Sequence, residues 1–174
     1  MTKLGHFFWL QPTEIVATDF SYQMFASVWS FMVNHPTWHT TLWTNRGFSG
    51  PLFYACKDLG LNTCPIHRID NQLNISSEVN YWKWSAIRNE GGMVMDISDT
   101  ITLGSFDDIY DDADKLTWSY YWPATRMTSM GNGWLCINKP GSDIAIAILD
   151  EMTAPEHSNA MGRWEQRSLS TRLP

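Results

Sequence analysis

The residues best suited to do chemistry lie together in Gly91-Gly92-Met93-Val94-Met95-Asp96-Ile97-Ser98-Asp99. Two glycines fit the left-handed end of a helix, the apolar run behind them fits a buried strand, and that strand ends on charge. Open α/β sheets bind ligands beyond the carboxyl ends of their strands, which is where Asp96 and Asp99 are delivered. A carboxylate pair this close suits Mg²⁺ or Mn²⁺ shared with a substrate diphosphate, because hard cations prefer oxygen ligands and keep several waters. Strand alternation points Asp96 and Ser98 to one side and Asp99 to the other. For the two aspartates to share a cation, the chain must leave regular β geometry at Ile97 or Ser98. A strand-end turn with solvated aspartates is the simpler account of an isolated D-x-x-D, so the surrounding residues have to decide.

Other clusters carry less. His35 and His39 have the i, i+4 spacing of a zinc pair, but Pro36 between them breaks the helix that would align them. The acidic run from Asp107 to Asp114 lacks the glycine and ligand spacing of a calcium loop and reads as a solvated face. Trp118-Ser119-Tyr120-Tyr121-Trp122 fits core on alternate residues better than a sugar platform. Cys56, Cys64 and Cys136 are odd in number and lack C-x-x-C spacing, so reduced thiols are expected rather than a disulfide framework or zinc site. Capping and surface roles suffice for Asp143 and Glu151.

Positioning these residues requires alternating strands and helices, an α/β pattern. Leu4 to Leu10 reads as a buried first strand, followed by a helix from Asp19, a good N-cap, to Asn34, and Trp38 to Thr44 as a second strand. Leu52 to Leu59 suits a short helix and Cys64 to Ile69 a third strand. Ser76-Ser77 cap a helix running to Asn89, directly before the glycine pair. Ser105 to Lys115 reads as a loop or short helix. Leu116 to Trp122 and Trp134 to Asn138 suit two more strands, and Ser142 to Met152 a last helix. Residues 1–152 thus form one expected domain and 153–174 a polar tail.

The 174-residue chain is 44% hydrophobic and 17% charged, enough to bury one core, with no apolar run approaching the ~20 residues of a membrane helix. A net charge of -6 repels a phosphate backbone, so nucleic acid is not an expected partner. The N-terminus is too short and too polar for a signal h-region, which predicts a cytoplasmic protein. Ten tryptophans supply flat faces for stacking sugars and bases as well as core.

Four elements, in order, resemble the DXD sugar-transferase family that includes the initiating mannosyltransferases of yeast and the glucosyltransferase domain of large clostridial toxins. Its first strand, of the type I-H-x-x-W, is similar to His6-Phe7-Phe8-Trp9, and its H-P-x-W-x-x-x-L-W segment to His35-Pro36-Thr37-Trp38-His39-Thr40-Thr41-Leu42-Trp43, followed by Thr44-Asn45. The helix bearing D-x-x-R falls on Asn80-Tyr81-Trp82-Lys83, and G-G-x-Y-x-D-x-D on Gly91-Gly92-Met93-Val94-Met95-Asp96-Ile97-Ser98. A late N-x-x-x-x-x-x-P-G element resembles the stretch from Asn132 to Gly141.

The resemblance implies an α/β GT-A fold, a Rossmann-like mixed central sheet flanked by helices. It also implies a metal-dependent, retaining glycosyltransferase that moves a hexose from a nucleoside diphosphate sugar to a hydroxyl of a glycan or protein. UDP-hexose is the favoured donor and GDP-mannose the other candidate. Trp9 maps onto the base-stacking tryptophan, and Asp96 onto the first DXD aspartate. His6, Asn45, Asn80 and Asn132, with Lys83 and Ser98, complete the implied donor contacts. The implied metal ligands for Mn²⁺ or Mg²⁺ are Asp96 and Asp99, and with Lys83 they form the implied catalytic group. The departures are Ser98 at the second aspartate, Asn80 and Lys83 for Asp and Arg, and Val94 for Tyr. Lysine neutralises phosphate as a point charge but cannot reproduce a bidentate guanidinium. A non-catalytic carbohydrate- or nucleotide-binding protein with a degenerate GT-A fold is the alternative these losses leave.

Overall fold

The computed structural model describes residues 2–12, 19–69, 75–113, 117–120 and 130–153, with the backbone alone at 117–120 and 130–133. The expected tail lies outside the described residues from 154 onward, as do Tyr121 and Trp122.

Strand β1 (Leu4–Trp9) is buried over Gly5 to Phe8, as a parallel strand covered on both faces must be. It pairs in parallel with β2 (His39–Thr44), which pairs in parallel with β3 (Asn62–Pro65). On its other side β1 pairs in parallel with β4 (Gly92–Met95). Antiparallel β6 (Met130–Ile137) and β5 (Thr117–Tyr120) complete a six-stranded sheet in the order β3-β2-β1-β4-β6-β5. This is the mixed α/β sheet expected from the sequence. The chain first steps from β1 outward through β2 to β3, then crosses back to β4, so the strand order reverses between β1 and β4.

Helices cover both faces. Against one face, α1 (Tyr22–Asn34), α2 (Pro51–Asp58) and α4 (Asp107–Asp112) pack Val28, Phe31, Phe53 and Tyr110 onto Phe7, Met93 and Met95. Against the other, α3 (Ile75–Glu90) and α5 (Asp143–Thr153) pack Trp84, Ile87 and Ile148 onto Phe8, Val94 and Ile137. The alternation Phe7/Phe8 and Met93/Val94/Met95 thus divides each buried strand between two cores. A Cβ at Gly5 would lie 2.5 Å from Phe31 Cε1, so α1 sits against β1 at a distance only glycine permits. No described helix is long and apolar enough to cross a membrane.

Several expected boundaries shift. Ser21, not Asp19, caps α1, its Oγ accepting from Met24 N at 3.2 Å, while Asp19 forms a bridge with Ser49. Both residues are good caps, and the tertiary bridge takes the earlier one. β3 lies two residues before the expected start and ends at Pro65, because its single neighbour β2 ends at Thr44, the residue paired with Pro65. α3 and β4 join through Gly91 and Gly92, with φ of +71° and +117°. A Cβ at Gly92 would stand 2.6 Å from His6 Nε2.

Candidate functional site

A cavity of about 350 Å³ opens at the carboxyl edge of the sheet, between β1 and β4, where the strand order reverses. β1 contributes Phe8, Trp9 and then Leu10; the first half of α3 contributes Ile75, Ser76, Val79, Asn80 and Lys83; the turn after β4 contributes Asp96, Ile97, Ser98 and Asp99. Strand β4 stops at Met95, and residues 97–99 form a turn, which meets the requirement that the chain leave β geometry there. Ile97 is buried in the α1-side core and holds the turn down, so Asp96 and Asp99 line the same space.

Asp96 continues the alternation of Val94 toward α3, where Lys83 Nζ lies 2.7 Å from its Oδ1. The Lys83 side chain is 6% exposed and that of Asp96 24%. Thr100 Oγ1 donates to the Asp96 carbonyl at 2.6 Å, and Ser27 Oγ of α1 donates to the Thr100 carbonyl at 2.6 Å, tying the turn to the scaffold. Ser98 Oγ donates to Asp99 Oδ1 at 3.2 Å. Trp9 is half-buried against the α1-side core, and its indole Nε1 is shielded from solvent with no hydrogen-bond partner among the described residues.

Two implied donor contacts lie elsewhere. His6 is buried in the sheet; its Nε2 donates to the Gly91 carbonyl at 2.9 Å and its Nδ1 accepts from Trp43 Nε1 at 3.1 Å. Both ring nitrogens are engaged, and burial pushes the imidazole down to about 4. Asn45 accepts from Gln11 N and donates to the Gln11 carbonyl, both at 2.9 Å, stitching the ends of β1 and β2 together. It borders a second cavity of about 370 Å³, lined by Phe48, Phe53, Thr63 and Cys64 among others, that the sequence did not suggest. Asn132 lies on β6 two residues beyond Trp134, the partner of Met95, so its backbone is past the end of β4; its side chain lies outside the described residues. Thr100 was missed, though a threonine four residues after Asp96 has the spacing of a local back-bond.

The remaining clusters are structural. His35 donates from Nδ1 to the Phe31 carbonyl at 2.7 Å and accepts at Nε2 from Phe106 N at 2.7 Å, so it makes no pair with His39. The acidic run is not simply a solvated face: Asp107 and Asp111 bind Lys3 Nζ at 2.8 and 2.9 Å. All three cysteines are free, and burial pushes the Cys56 and Cys136 thiols up to about 11 and 12.

Two carboxylates and the Ser98 hydroxyl on one turn form a set of hard oxygens that fits Mg²⁺ or Mn²⁺ in kind. Among the described residues no cluster of three or more His, Cys, Asp or Glu could hold a metal ion. A cation here would therefore draw further ligands from water and from a bound diphosphate.

No family model and no curated protein matches the sequence. Solved structures do resemble the fold. The chain overlays on 70% of the PaToxG glycosyltransferase, with 99% of its own length covered, a TM-score of 0.62 and 17% identity. It is similar to the glycosyltransferase GlyE of Streptococcus pneumoniae at a TM-score of 0.56 and 16% identity, with 98% of this chain covered. The galactosyltransferase LgtC, solved with donor and acceptor sugar analogs, overlays at a TM-score of 0.50 and 12% identity over 98% of this chain and 66% of LgtC. The fold is that of the GT-A glycosyltransferases. The chain spans 43% of the length of GlyE, so much of that protein has no counterpart here.

Proposed function

We propose that this protein is a glycosyltransferase that moves a hexose from a nucleoside diphosphate sugar to a hydroxyl of a glycan or protein, with retention at the anomeric carbon. The observation that carries the reading is the cavity at the β1/β4 reversal of a GT-A sheet, where Trp9, Asn80, Lys83, Asp96 and Asp99 meet. Trp9 offers a face for the nucleobase, with UDP favoured and GDP the other candidate. Lys83 supplies positive charge beside the place where the diphosphate departs. Asp96 and Asp99 would hold a divalent cation, which when bound supplies charge stabilisation for the leaving diphosphate. The acceptor oxygen bonds to the anomeric carbon as the carbon–phosphate-oxygen bond breaks. The bonding pair leaves with the diphosphate, whose oxygen takes the hydroxyl proton, so no protein nucleophile is needed.

A second reading, a non-catalytic nucleotide- or carbohydrate-binding protein, is favoured by Ser98, whose hydroxyl is turned to Asp99 in place of a second DXD carboxylate. Thermal melts with a panel of nucleotide sugars, with and without Mn²⁺, followed by donor hydrolysis assays, separate the two. Metal-dependent hydrolysis lost in Asp96→Asn supports the transferase. Glycan binding without any nucleotide-dependent stabilisation supports the module. Within the first reading, Asp99→Asn should lose metal-dependent donor binding and Ser98→Ala should largely keep it; the reverse would make Ser98 the ligand.

A further inference from the structure

Asp96 reaches the cavity already paired. The Lys83 ammonium, 2.7 Å away and nearly buried, occupies the carboxylate that the donor-site reading assigns to a divalent cation. A nearly buried ammonium needs a counter-charge, because stripping a charge of its partner in a poorly solvated place is far costlier than exchanging one partner for another. A divalent cation at Asp96 would also stand within a few ångströms of that ammonium, and like charges at such range repel strongly. A diphosphate changes both terms at once, since it brings the negative charge that Lys83 requires and oxygens that a cation can share.

We propose that Lys83 is an internal counter-ion that fills the cation place in the free protein and is exchanged onto the diphosphate when the nucleotide arrives. The inference rests on the donor-site reading and adds a binding order to it. In the free protein the lysine excludes metal. With nucleotide bound, Lys83 turns from Asp96 to a phosphate oxygen and Asp96 is released. Metal and nucleotide then strengthen one another, and by linkage the coupling is equal in both directions. Lysine suits this exchange: its compact ammonium on a flexible stem moves between partners, where a guanidinium forked onto a carboxylate is held by two bonds. Asp99, whose Oδ1 accepts only a neutral hydroxyl among its described partners, stays in place as the second ligand.

The test is Mn²⁺ binding, followed by the loss of the free-ion electron paramagnetic resonance signal, in the whole chain and in Lys83→Gln, with Mn²⁺ alone and with UDP or GDP added. Expected is weak binding of Mn²⁺ alone to the wild type, tightened on the order of tenfold or more by a nucleoside diphosphate. Lys83→Gln should bind Mn²⁺ alone about tenfold more tightly than the wild type, with the nucleotide adding less than it does there. That gain should vanish in Lys83→Gln/Asp96→Asn, which locates it at Asp96. An unchanged or weaker affinity for Mn²⁺ alone in Lys83→Gln overturns the proposal, and Lys83→Met provides a second neutral replacement should the glutamine variant fold poorly. If neither UDP nor GDP alters Mn²⁺ binding in any protein while Lys83→Gln still gains affinity, the nucleotide reading fails and the exclusion of metal by Lys83 stands.

Discussion

Two lysine–aspartate pairs lie toward opposite ends of β1, and they differ in what else they hold. Beside its start, Lys3 Nζ is 2.8 Å from Asp107 and 2.9 Å from Asp111. Asp107 also accepts from Trp38 Nε1 at 2.9 Å and from Ser105 Oγ at 2.6 Å. Hydrogen bonds from Lys3, Ser105 and Trp38 hold its carboxyl well below the usual carboxylate range. Near the finish, Lys83 and Asp96 make the same bond at 2.7 Å but border a cavity that Trp9 and Asp99 also line. A pair whose acceptors are filled by its own chain is a clamp, whereas one with capacity left over can do work on something else.

The sharpest way to break this distinction is to neutralise each aspartate. Asp96→Asn should lower metal-dependent donor turnover on the order of 10²-fold or more, as removal of a preorganised charge at a reacting centre does, and should also lower the melting temperature, because it leaves the nearly buried Lys83 ammonium without its counter-charge. Asp107→Asn should lower the melting temperature as well but spare turnover, so the two variants part on activity. If both variants lost activity alike, the two ends of β1 would not be functionally distinct.

Acid should unlock the scaffold first. The unfolded chain binds a proton on His6 near pH 6.5, and the folded chain does so only near 4, so between those values the unfolded state holds more protons. The stability contributed by neutral His6 is therefore complete above pH 6.5 and is lost as pH falls toward 4, by about 3 kcal/mol in all. Burial lowers His35 as well, which adds in the same direction. Urea unfolding at stepped pH checks this; stability that stayed flat between pH 7 and 4 would contradict it.

Smaller effects come from the tryptophans at the two ends. Trp9→Ala should weaken nucleoside diphosphate binding by about 1–3 kcal/mol, the worth of a stacked base, as read by calorimetry. Trp38→Phe should leave that affinity unchanged and cost about 1–2 kcal/mol of stability, because it removes the N–H that Asp107 accepts. Trp9→Phe, which deletes an N–H with no partner among the described residues, should cost less stability than Trp38→Phe.

What could be read from the sequence was whatever local pattern decides. The apolar runs of β1 and β4 and the glycine pair before β4 were legible because burial and left-handed backbone restrict residue type strongly. The resemblance put Lys83 at the donor site, and it does line the cavity, but its ion pair with Asp96 was not legible. Long-range partners were not legible. Lys3 meets Asp107 across 104 residues, and His6 meets Gly91 across 85, which turned an implied donor ligand into a strut of the sheet. Asn45 was likewise drawn to Gln11, 34 residues away, by two backbone groups that would otherwise lack partners at the strand end.

The width of the site is set in part by an atom that is absent. At Gly92, just before β1 and β4 begin to pair, a methyl group would collide with the His6 ring at 2.6 Å and press on the Leu4 carbonyl at 3.0 Å. Four residues later the chain delivers Asp96 to the cavity that Trp9 also lines. Gly92→Ala would therefore disturb the candidate site although residue 92 does not line the cavity. A smaller side chain at His6 should relieve only the ring contact, because the backbone at Gly92, with φ of +117°, stays strained for any residue with a Cβ.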